Sequence, residues 1–150
     1  MIFVAADHGG FALKQGLVQR LTVRYGPIVR DLTPRRRADD DYPLRAADLA
    51  TAVRTSGSLA FGIGICRSGV GMAMVANKFP NIRAVQGTST NIAAAARQDE
   101  NANIISLGAD DLSAAQAWKI VTTFLETSWR PVARYRRRLG EIRRYEQGRR

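Results

Sequence analysis

Short apolar runs alternate with longer segments of helical periodicity along the whole chain. Five runs have the length and composition of buried strands; they cover residues 2–6, 28–32, 59–65, 82–86 and 102–107. The intervening segments space their apolar residues as helices do. The first predicted helix begins at about Phe11. Further helices are predicted over residues 43–55, 70–78, 91–97 and 113–126, and a final basic helix begins near Pro131.

This alternation predicts βαβ units, and therefore an α/β fold with a mostly parallel five-stranded sheet covered on both faces. In such sheets ligands bind beyond the carboxyl ends of the strands. The residues that follow each predicted strand are therefore the first candidates for chemistry. They are Asp7 and His8, the loop to Asp41 and Tyr42, residues 66–71, residues 88–91 and the segment after Gly108.

Length and composition indicate one globular domain. The chain has 150 residues, of which 45% are hydrophobic and 24% charged, which is ordinary globular usage. Asp7 and His8 interrupt the apolar start too early for a signal peptide. The one cysteine cannot form an internal disulfide, which fits a reducing compartment. We therefore expect a soluble cytoplasmic protein without a membrane span.

The net charge of +10 is concentrated at the C-terminus. Nine of the 23 basic residues lie in residues 130–150 against two acids, which leaves only +3 for residues 1–129. Such a basic segment indicates either a local anion site or a nucleic-acid-binding arm. The second interpretation would need salt-sensitive binding to DNA or RNA, and no nucleic-acid-binding motif accompanies the arginines.

The loop after the third predicted strand, residues 66–72, is the most informative segment. It has the sequence CRSGVGM, in which two glycines let backbone N–H groups approach a ligand closely. An N–H cradle at the start of a helix suits a phosphate or a developing oxyanion. The dinucleotide and P-loop patterns are absent. Cys66 is either a thiolate favoured by these positive surroundings or a small buried hydrophobic residue.

His8 is the only histidine, which excludes the common multi-histidine zinc sites. It follows Asp7 at a predicted strand end, where it could bind an anion or move a proton. The alternative is that Asp7 caps the next helix while His8 belongs to the loop surface. Neighbouring residues alone do not decide between these two interpretations.

A series of ordered motifs resembles a known family. The motifs are DHGGFALK at 7–14, DYP at 41–43, CRSGVGM at 66–72, ANK at 76–78, IRA at 82–84 and RYRRRL at 134–139. Together they resemble the type B ribose-5-phosphate isomerases and the related galactose-6-phosphate isomerase subunits over almost the whole chain. The resemblance implies a Rossmann-like three-layer sandwich and aldose–ketose isomerisation without metal or organic cofactor. It also implies a homodimer or tetramer with the site at the subunit interface, and a basic helix at about 130–150 that packs on the partner.

The resemblance also implies roles for particular residues. Cys66 would be the thiolate base that moves a proton between C1 and C2, and Ser68 would assist proton transfer between the two oxygens. Asp7 would take part in ring opening. The enediolate oxyanion would be held by the N–H groups of Gly69, Val70, Gly71 and Met72. The remaining substrate contacts would be His8 and Tyr42, with Arg134 and Arg138 on the phosphate.

Several positions depart from the family pattern. Asp99, Glu100 and Asn101 align with a His-Asn-Asp run whose histidine opens the furanose ring. Asp110 replaces an arginine that contributes to phosphate binding, whereas Arg67 replaces a small residue and can supply the missing positive charge. An acid–base role for Asp99 needs a raised pKa, since an ordinary carboxylate is ionised at pH 7. Asp99 is the candidate catalytic group and Glu100 a candidate substrate contact.

These observations predict an isomerase for a small sugar phosphate. The substrate is either similar to ribose 5-phosphate or shorter and largely open-chain, so that it needs no ring-opening histidine. The alternative is a catalytically degenerate subunit of a hetero-oligomeric isomerase, or a sugar-phosphate-binding protein without turnover.

Overall fold

Five parallel strands form one sheet in residues 1–148, the part of the chain that the computed structural model describes. The strands are β1 (Ile2–Ala6), β2 (Val29–Asp31), β3 (Phe61–Cys66), β4 (Ala84–Gln86) and β5 (Ile104–Gly108). The helices are α1 (Phe11–Tyr25), α2 (Tyr42–Thr55), α3 (Val70–Ala76), α4 (Thr90–Gln98), α5 (Ala114–Glu126) and α6 (Ala133–Glu146). The predicted order of elements is confirmed.

The strand order in the sheet is β2-β1-β3-β5-β4, and each neighbouring pair is parallel. From β1 the chain first continues to β2 at one edge of the sheet, and β3 then lies on the other side of β1. The connections therefore diverge between β1 and β3, where an open α/β sheet leaves a crevice for ligands. Asp7 follows β1 and Cys66 ends β3, so both lie at this crevice.

Two apolar layers cover the sheet, as expected for a three-layer sandwich. One layer packs α1, α4 and α5 on side chains such as Val4 and Ile105. The other packs α2 and α3 on side chains such as Phe3 and Ile104. Neighbouring strand residues point to opposite faces, so these short strands are buried on both sides.

Some predicted boundaries were wrong by one to three residues. The third strand begins at Phe61 rather than at residue 59, because Leu59 lies in a turn and is 81% exposed. The same strand includes Cys66, which pairs with Gly108 of β5. The helix α3 ends at Ala76 rather than at residue 78. There the side chain of Asn77 both donates to and accepts from the backbone of Ala84, which connects the end of α3 to β4.

Polar side chains define the helix starts where the sequence offers them. Ser113 and Gln116 form a reciprocal capping box at α5, and Ser89 accepts a hydrogen bond from the N–H of Ile92 at α4. At α1, the carboxylate of Asp7 accepts the N–H of Gly10 at 2.9 Å. At α4 and α5 the serine satisfies a backbone donor that the first turn of a helix leaves without a partner, whereas at α1 the donor belongs to the residue before the helix.

The basic C-terminal helix predicted at about 130–150 is observed as α6, and residues 149–150 lie outside the described part of the chain. The start of this segment is tied to the end of α4 by a hydrogen bond from the N–H of Arg130 to the carbonyl of Gln98. Tyr135 and Leu139 are the buried residues of α6, whereas Tyr145 is exposed. Within residues 1–148, no helix has both the length and the apolar character that a membrane crossing requires.

Candidate active site

A cavity of about 490 Å³ opens at the crevice between β1 and β3. The loops after these two strands and the first turns of α2 and α3 form its walls. The lining residues are Asp7, His8, Asp41, Tyr42, Cys66, Arg67, Ser68, Val70, Gly71 and Met74. Most of the residues that sequence analysis selected from the first half of the chain therefore meet in one place.

Cys66 lies at the floor of this cavity. Its side chain is only 4% exposed, yet it lines the cavity, and its Sγ accepts the backbone N–H of Gly69 at 3.1 Å. This hydrogen bond fixes the position of the sulfur beside the backbone that begins α3. Cys66 is therefore buried, as the interpretation as a small hydrophobic residue expected, and it also lines the cavity, where the interpretation as a thiolate would place it.

Hydrogen bonds hold the loop after Cys66 rigidly. Gly69 has a φ of +79°, and its carbonyl accepts the hydroxyl of Ser106. The hydroxyl of Ser68 accepts the N–H of Val70 at 3.3 Å, and the carbonyl of Ser68 accepts the amide of Gln86 at 2.8 Å. The loop is thus organised by hydrogen bonds within the chain, as an oxyanion-binding loop needs to be. Gly69 and Met72 do not line the cavity, and the Met72 side chain is buried, which leaves only its backbone for a ligand.

Asp7 and His8 have different surroundings. Asp7 is 5% exposed, and its carboxylate accepts the N–H of Gly10, the residue before α1, while the first turn of α1 has no side-chain cap. His8 is exposed, and its Nδ1 lies 2.7 Å from the carbonyl oxygen of Asp40. Because a carbonyl only accepts, Nδ1 carries the proton, and Nε2 remains for a substrate.

Tyr42 forms the opposite wall. It begins α2, and its ring lies directly on Gly71, where an added Cβ would be 2.5 Å from the ring atom Cε2. Only a glycine permits this close approach. The ring and the backbone of α3 therefore face the same cavity at a fixed separation.

Arg67 lies at the rim of the cavity and pairs with Asp110, whose Oδ2 is 3.1 Å from the guanidinium Nε. The side chains of these two residues are 73% and 56% exposed. Asp110 thus contacts the arginine that sequence analysis expected to replace the lost positive charge. An exposed pair of this kind contributes little to stability.

A second group of predicted residues lies away from the cysteine cavity. Asp99, Glu100, Arg134 and Arg138 do not line it. Asp99 follows α4 and pairs with Arg130 at 3.3 Å, while Arg134 donates to the hydroxyl of Tyr135 at 2.8 Å. Within residues 1–148 of one chain, the site predicted from the sequence is therefore divided between two places.

The surroundings of Asp99 determine its protonation. A hydrogen bond from Tyr135, together with the cations of Arg130 and Arg134, lowers the pKa of this carboxyl below its ordinary value. The raised pKa that an acid role would need is therefore not found. Glu100 lines a different, largely apolar cavity between the start of β4 and α6.

Asp41 was expected among the residues that follow the strands but was given no role, and Met74 and Gln86 were not expected at the site. Asp41 and Met74 line the cysteine cavity, and Gln86 supports its loop. Asp41 belongs to the DYP motif and could have been included on that ground. Met74 has a helical spacing that is equally typical of a core position, so no sequence signal distinguished it.

Known proteins match the chain over almost its whole length. A sequence model of the family described as ribose/galactose isomerase matches residues 2–142. A probable ribose-5-phosphate isomerase B of Mycoplasma genitalium is 38% identical, with 97% of this chain and 95% of the relative covered.

Two solved structures agree with this match. Ribose-5-phosphate isomerase B of Clostridium thermocellum superimposes with a TM-score of 0.91 at 33% identity, covering 98% of this chain and 97% of the other. The Mycoplasma genitalium enzyme, solved with bound ribulose-5-phosphate, also gives 0.91, at 37% identity and with 97% and 95% covered. The chain therefore belongs to the ribose/galactose isomerase family and is an aldose–ketose isomerase.

Proposed function

We propose that this isomerase acts on a small sugar phosphate, either ribose 5-phosphate or a shorter, open-chain analogue, with Cys66 as the catalytic base. The observation that carries the proposal is the Cys66 Sγ at the floor of the cavity, 3.1 Å from the Gly69 N–H. The relatives named ribose-5-phosphate isomerase B and the neighbour with bound ribulose-5-phosphate support this class of substrate.

The proposed chemistry is a proton shift through an enediolate. The Cys66 thiolate removes the proton from C2 of the open-chain aldose, and the electron pair moves onto the carbonyl oxygen at C1. The N–H groups of residues 70–72 stabilise the resulting oxyanion, while the N–H of Gly69 stays on the Cys66 Sγ. The thiol then returns the proton to C1 while a second proton passes from O2 to O1, which Ser68 assists through its hydroxyl. A thiolate suits both steps because it acts first as a base and then, once protonated, as an acid.

The other residues of the cavity bind and orient the sugar. His8 offers Nε2 to a hydroxyl group, and the ring of Tyr42 limits the width of the cavity. Asp7 holds the start of α1 and presents its remaining carboxylate oxygen to the cavity, where it takes part in ring opening. Asp99, with its lowered pKa, serves as a hydrogen-bond acceptor rather than as an acid, which favours substrates that bind in the open-chain form.

The active site is completed by a second copy of the chain. Within residues 1–148, Arg134 and Arg138 lie on α6 and do not line the cysteine cavity of their own chain. Their spacing of four residues places both guanidinium groups on one helix face, which suits a phosphate dianion. In a homodimer or tetramer, α6 packs on the partner and brings these arginines and Asp99 to the partner's cavity. We also place the enzyme in the cytoplasm, where an unpaired thiol stays reduced.

The test is isomerisation of four- to six-carbon aldose and ketose phosphates by wild type, Cys66→Ala and Cys66→Ser. We expect turnover on a tetrose or pentose phosphate and a loss of at least about 1000-fold in kcat for both variants, with unchanged folding by circular dichroism. Turnover that persists in Cys66→Ala would contradict the mechanism. Wild-type protein that binds sugar phosphates without turnover would instead indicate a binding protein or a subunit that needs a different partner.

A further inference from the structure

A polar cavity of about 560 Å³ adjoins the cysteine cavity. His8, Gly9, Phe11, Ala12, Arg36, Arg67 and Asp110 line it. His8 and Arg67 line both cavities, so these two side chains form the boundary between them. A ligand that fills the cysteine cavity can therefore extend one end past Arg67 into the polar cavity.

The charged groups of this cavity favour an anion. Two arginines, Arg36 and Arg67, and one acid, Asp110, line it, and Asp110 pairs with Arg67. Since the imidazole of His8 donates from Nδ1 to the carbonyl of Asp40, only its Nε2 is left for a ligand. The cavity therefore has a net positive charge at neutral pH even when His8 is neutral.

Arg67 is held in place but keeps donors available. A Cβ added to Gly9 would lie only 2.5 Å from the Cγ of Arg67, so the aliphatic part of the arginine side chain packs directly on this glycine. Within residues 1–148, Asp110 is the one hydrogen-bond acceptor of this side chain, and it uses only Nε. The two Nη groups are the pair that a phosphate can engage.

Arg36 belongs to a loop with three consecutive arginines that serve two different cavities. Arg36 lines the polar cavity beside the cysteine cavity. Arg35 and Arg37 line a separate cavity of about 260 Å³. The loop is anchored before this run by Thr33, whose hydroxyl accepts the N–H of Ala6. Of the three arginines, Arg36 is therefore the one that lines the polar cavity.

We propose that Arg36 and Arg67 form a phosphate subsite on the same subunit as Cys66, and that it binds the phosphate end of the substrate. The inference rests on the proposed function and extends it. It adds two phosphate contacts from the subunit that carries Cys66 to those proposed for Arg134 and Arg138 of a second copy. Asp110 holds Arg67 through Nε and leaves its outer face to the dianion. The subsite selects phosphate monoesters over unphosphorylated sugars.

The experiment compares Arg36→Ala and Arg67→Ala with Arg35→Ala as the matched control. The control removes the same charge from the same loop but lines the other cavity. The readouts are KM for the best sugar phosphate and the inhibition constant of inorganic phosphate. We expect both values to rise about tenfold for Arg36→Ala and for Arg67→Ala, as for the loss of a charge-assisted hydrogen bond, and to change less than about twofold for Arg35→Ala.

Lysine variants separate geometry from charge. In Arg36→Lys and Arg67→Lys the charge remains and the fork is lost, so we expect a smaller rise than in the alanine variants. Equal effects of Arg35→Ala and the two alanine variants would overturn the subsite, because only long-range charge would then matter. A loss in kcat with an unchanged phosphate inhibition constant would overturn it as well.

Calorimetric titration of inorganic phosphate into Cys66→Ala distinguishes this inference from the proposed function. The subsite predicts that phosphate still binds and that adding Arg67→Ala weakens the binding about tenfold. Phosphate binding that is indifferent to Arg67 refutes the subsite alone. Turnover by Cys66→Ala refutes the cysteine mechanism and leaves the subsite standing.

Discussion

Lys14 shows how much a single residue can depend on its surroundings. It lies on α1 with Leu17 and Leu21 and is completely buried. Its Nζ lies 2.6 Å from both the carboxylate of Asp31 and the carbonyl of Thr33. A buried ammonium group is tolerated only with such partners. The residue therefore connects α1 to the end of β2 and to the start of the arginine-rich loop.

We predict that Lys14→Met destabilises the protein by about 3 kcal/mol, because it leaves the carboxylate of Asp31 without its cation. Urea unfolding measures the change. Arg137→Ala is the control, since Arg137 pairs with Glu141 on the exposed face of α6 and such a pair contributes about 0.5 kcal/mol or less. A cost for Lys14→Met no larger than that of the control would show that the buried pair contributes nothing.

At the scale of elements, two turns bring α1 and α3 to the site. Gly10 is the residue before α1, and its backbone lies so close to β3 that an added Cβ would overlap the carbonyl oxygen of Ile65. Gly69 precedes α3 with a φ of +79°, and an added Cβ would lie 2.9 Å from the carbonyl carbon of Leu107. Both helices start where backbones are in contact, and this proximity places Asp7 and the N–H of Gly69 at the cavity.

We predict that Gly10→Ala and Gly69→Ala each cost about 2 kcal/mol or more, and that Gly69→Ala also lowers kcat because the N–H on Cys66 moves. Gly16→Ala should change the free energy of unfolding in the opposite direction. Gly16 lies inside α1 with open space around it, so alanine there should stabilise the protein by about 0.5–1 kcal/mol. Thermal and urea unfolding measure the stability of all three variants, and initial rates measure kcat. Unchanged stability of Gly10→Ala and Gly69→Ala would show that these close backbone contacts do not require glycine.

For the whole molecule, the decisive feature is the separation of the two groups of site residues. Cys66 lies in the cavity, whereas Arg134 lies on α6, where Tyr135 and Leu139 are the buried residues. A helix with so small a buried face gains its stability elsewhere. The second copy of the chain that we propose would cover this helix and supply the other group of site residues.

We predict complementation between two inactive variants, Cys66→Ala and the double variant Arg134→Ala/Arg138→Ala. A heterodimer of the two has one site with every lesion and one intact site. Equal mixing by co-refolding should therefore restore about a quarter of the wild-type rate. The control is the same treatment of each variant alone. A mixture no more active than its parents would mean that each site uses residues of a single chain.

Much of the site could be predicted from the sequence because its residues directly follow predicted strands. Asp7, His8, Cys66 and Ser68 each lie at or after the end of a strand, and parallel strands bring such residues to one edge. The same rule reaches the loop that contains Arg36 but does not single out this residue, and it does not reach Met74. One belongs to a run of identical residues and the other to an ordinary helix pattern, so only their three-dimensional neighbours distinguish them.

The amino-acid pattern is enough to predict the order and kind of the elements, the parallel sheet and the family. These follow from local periodicity and from motifs of contiguous residues, which do not depend on distant contacts. The tertiary structure alone decided the strand order, the ends of β3 and α3, and the separation of Asp99 and Arg134 from Cys66. It also decided the lowered pKa of Asp99, which comes from Tyr135 and Arg130, far along the chain. Electrostatics and packing act between residues that are close in space, and a linear pattern does not record which residues those are.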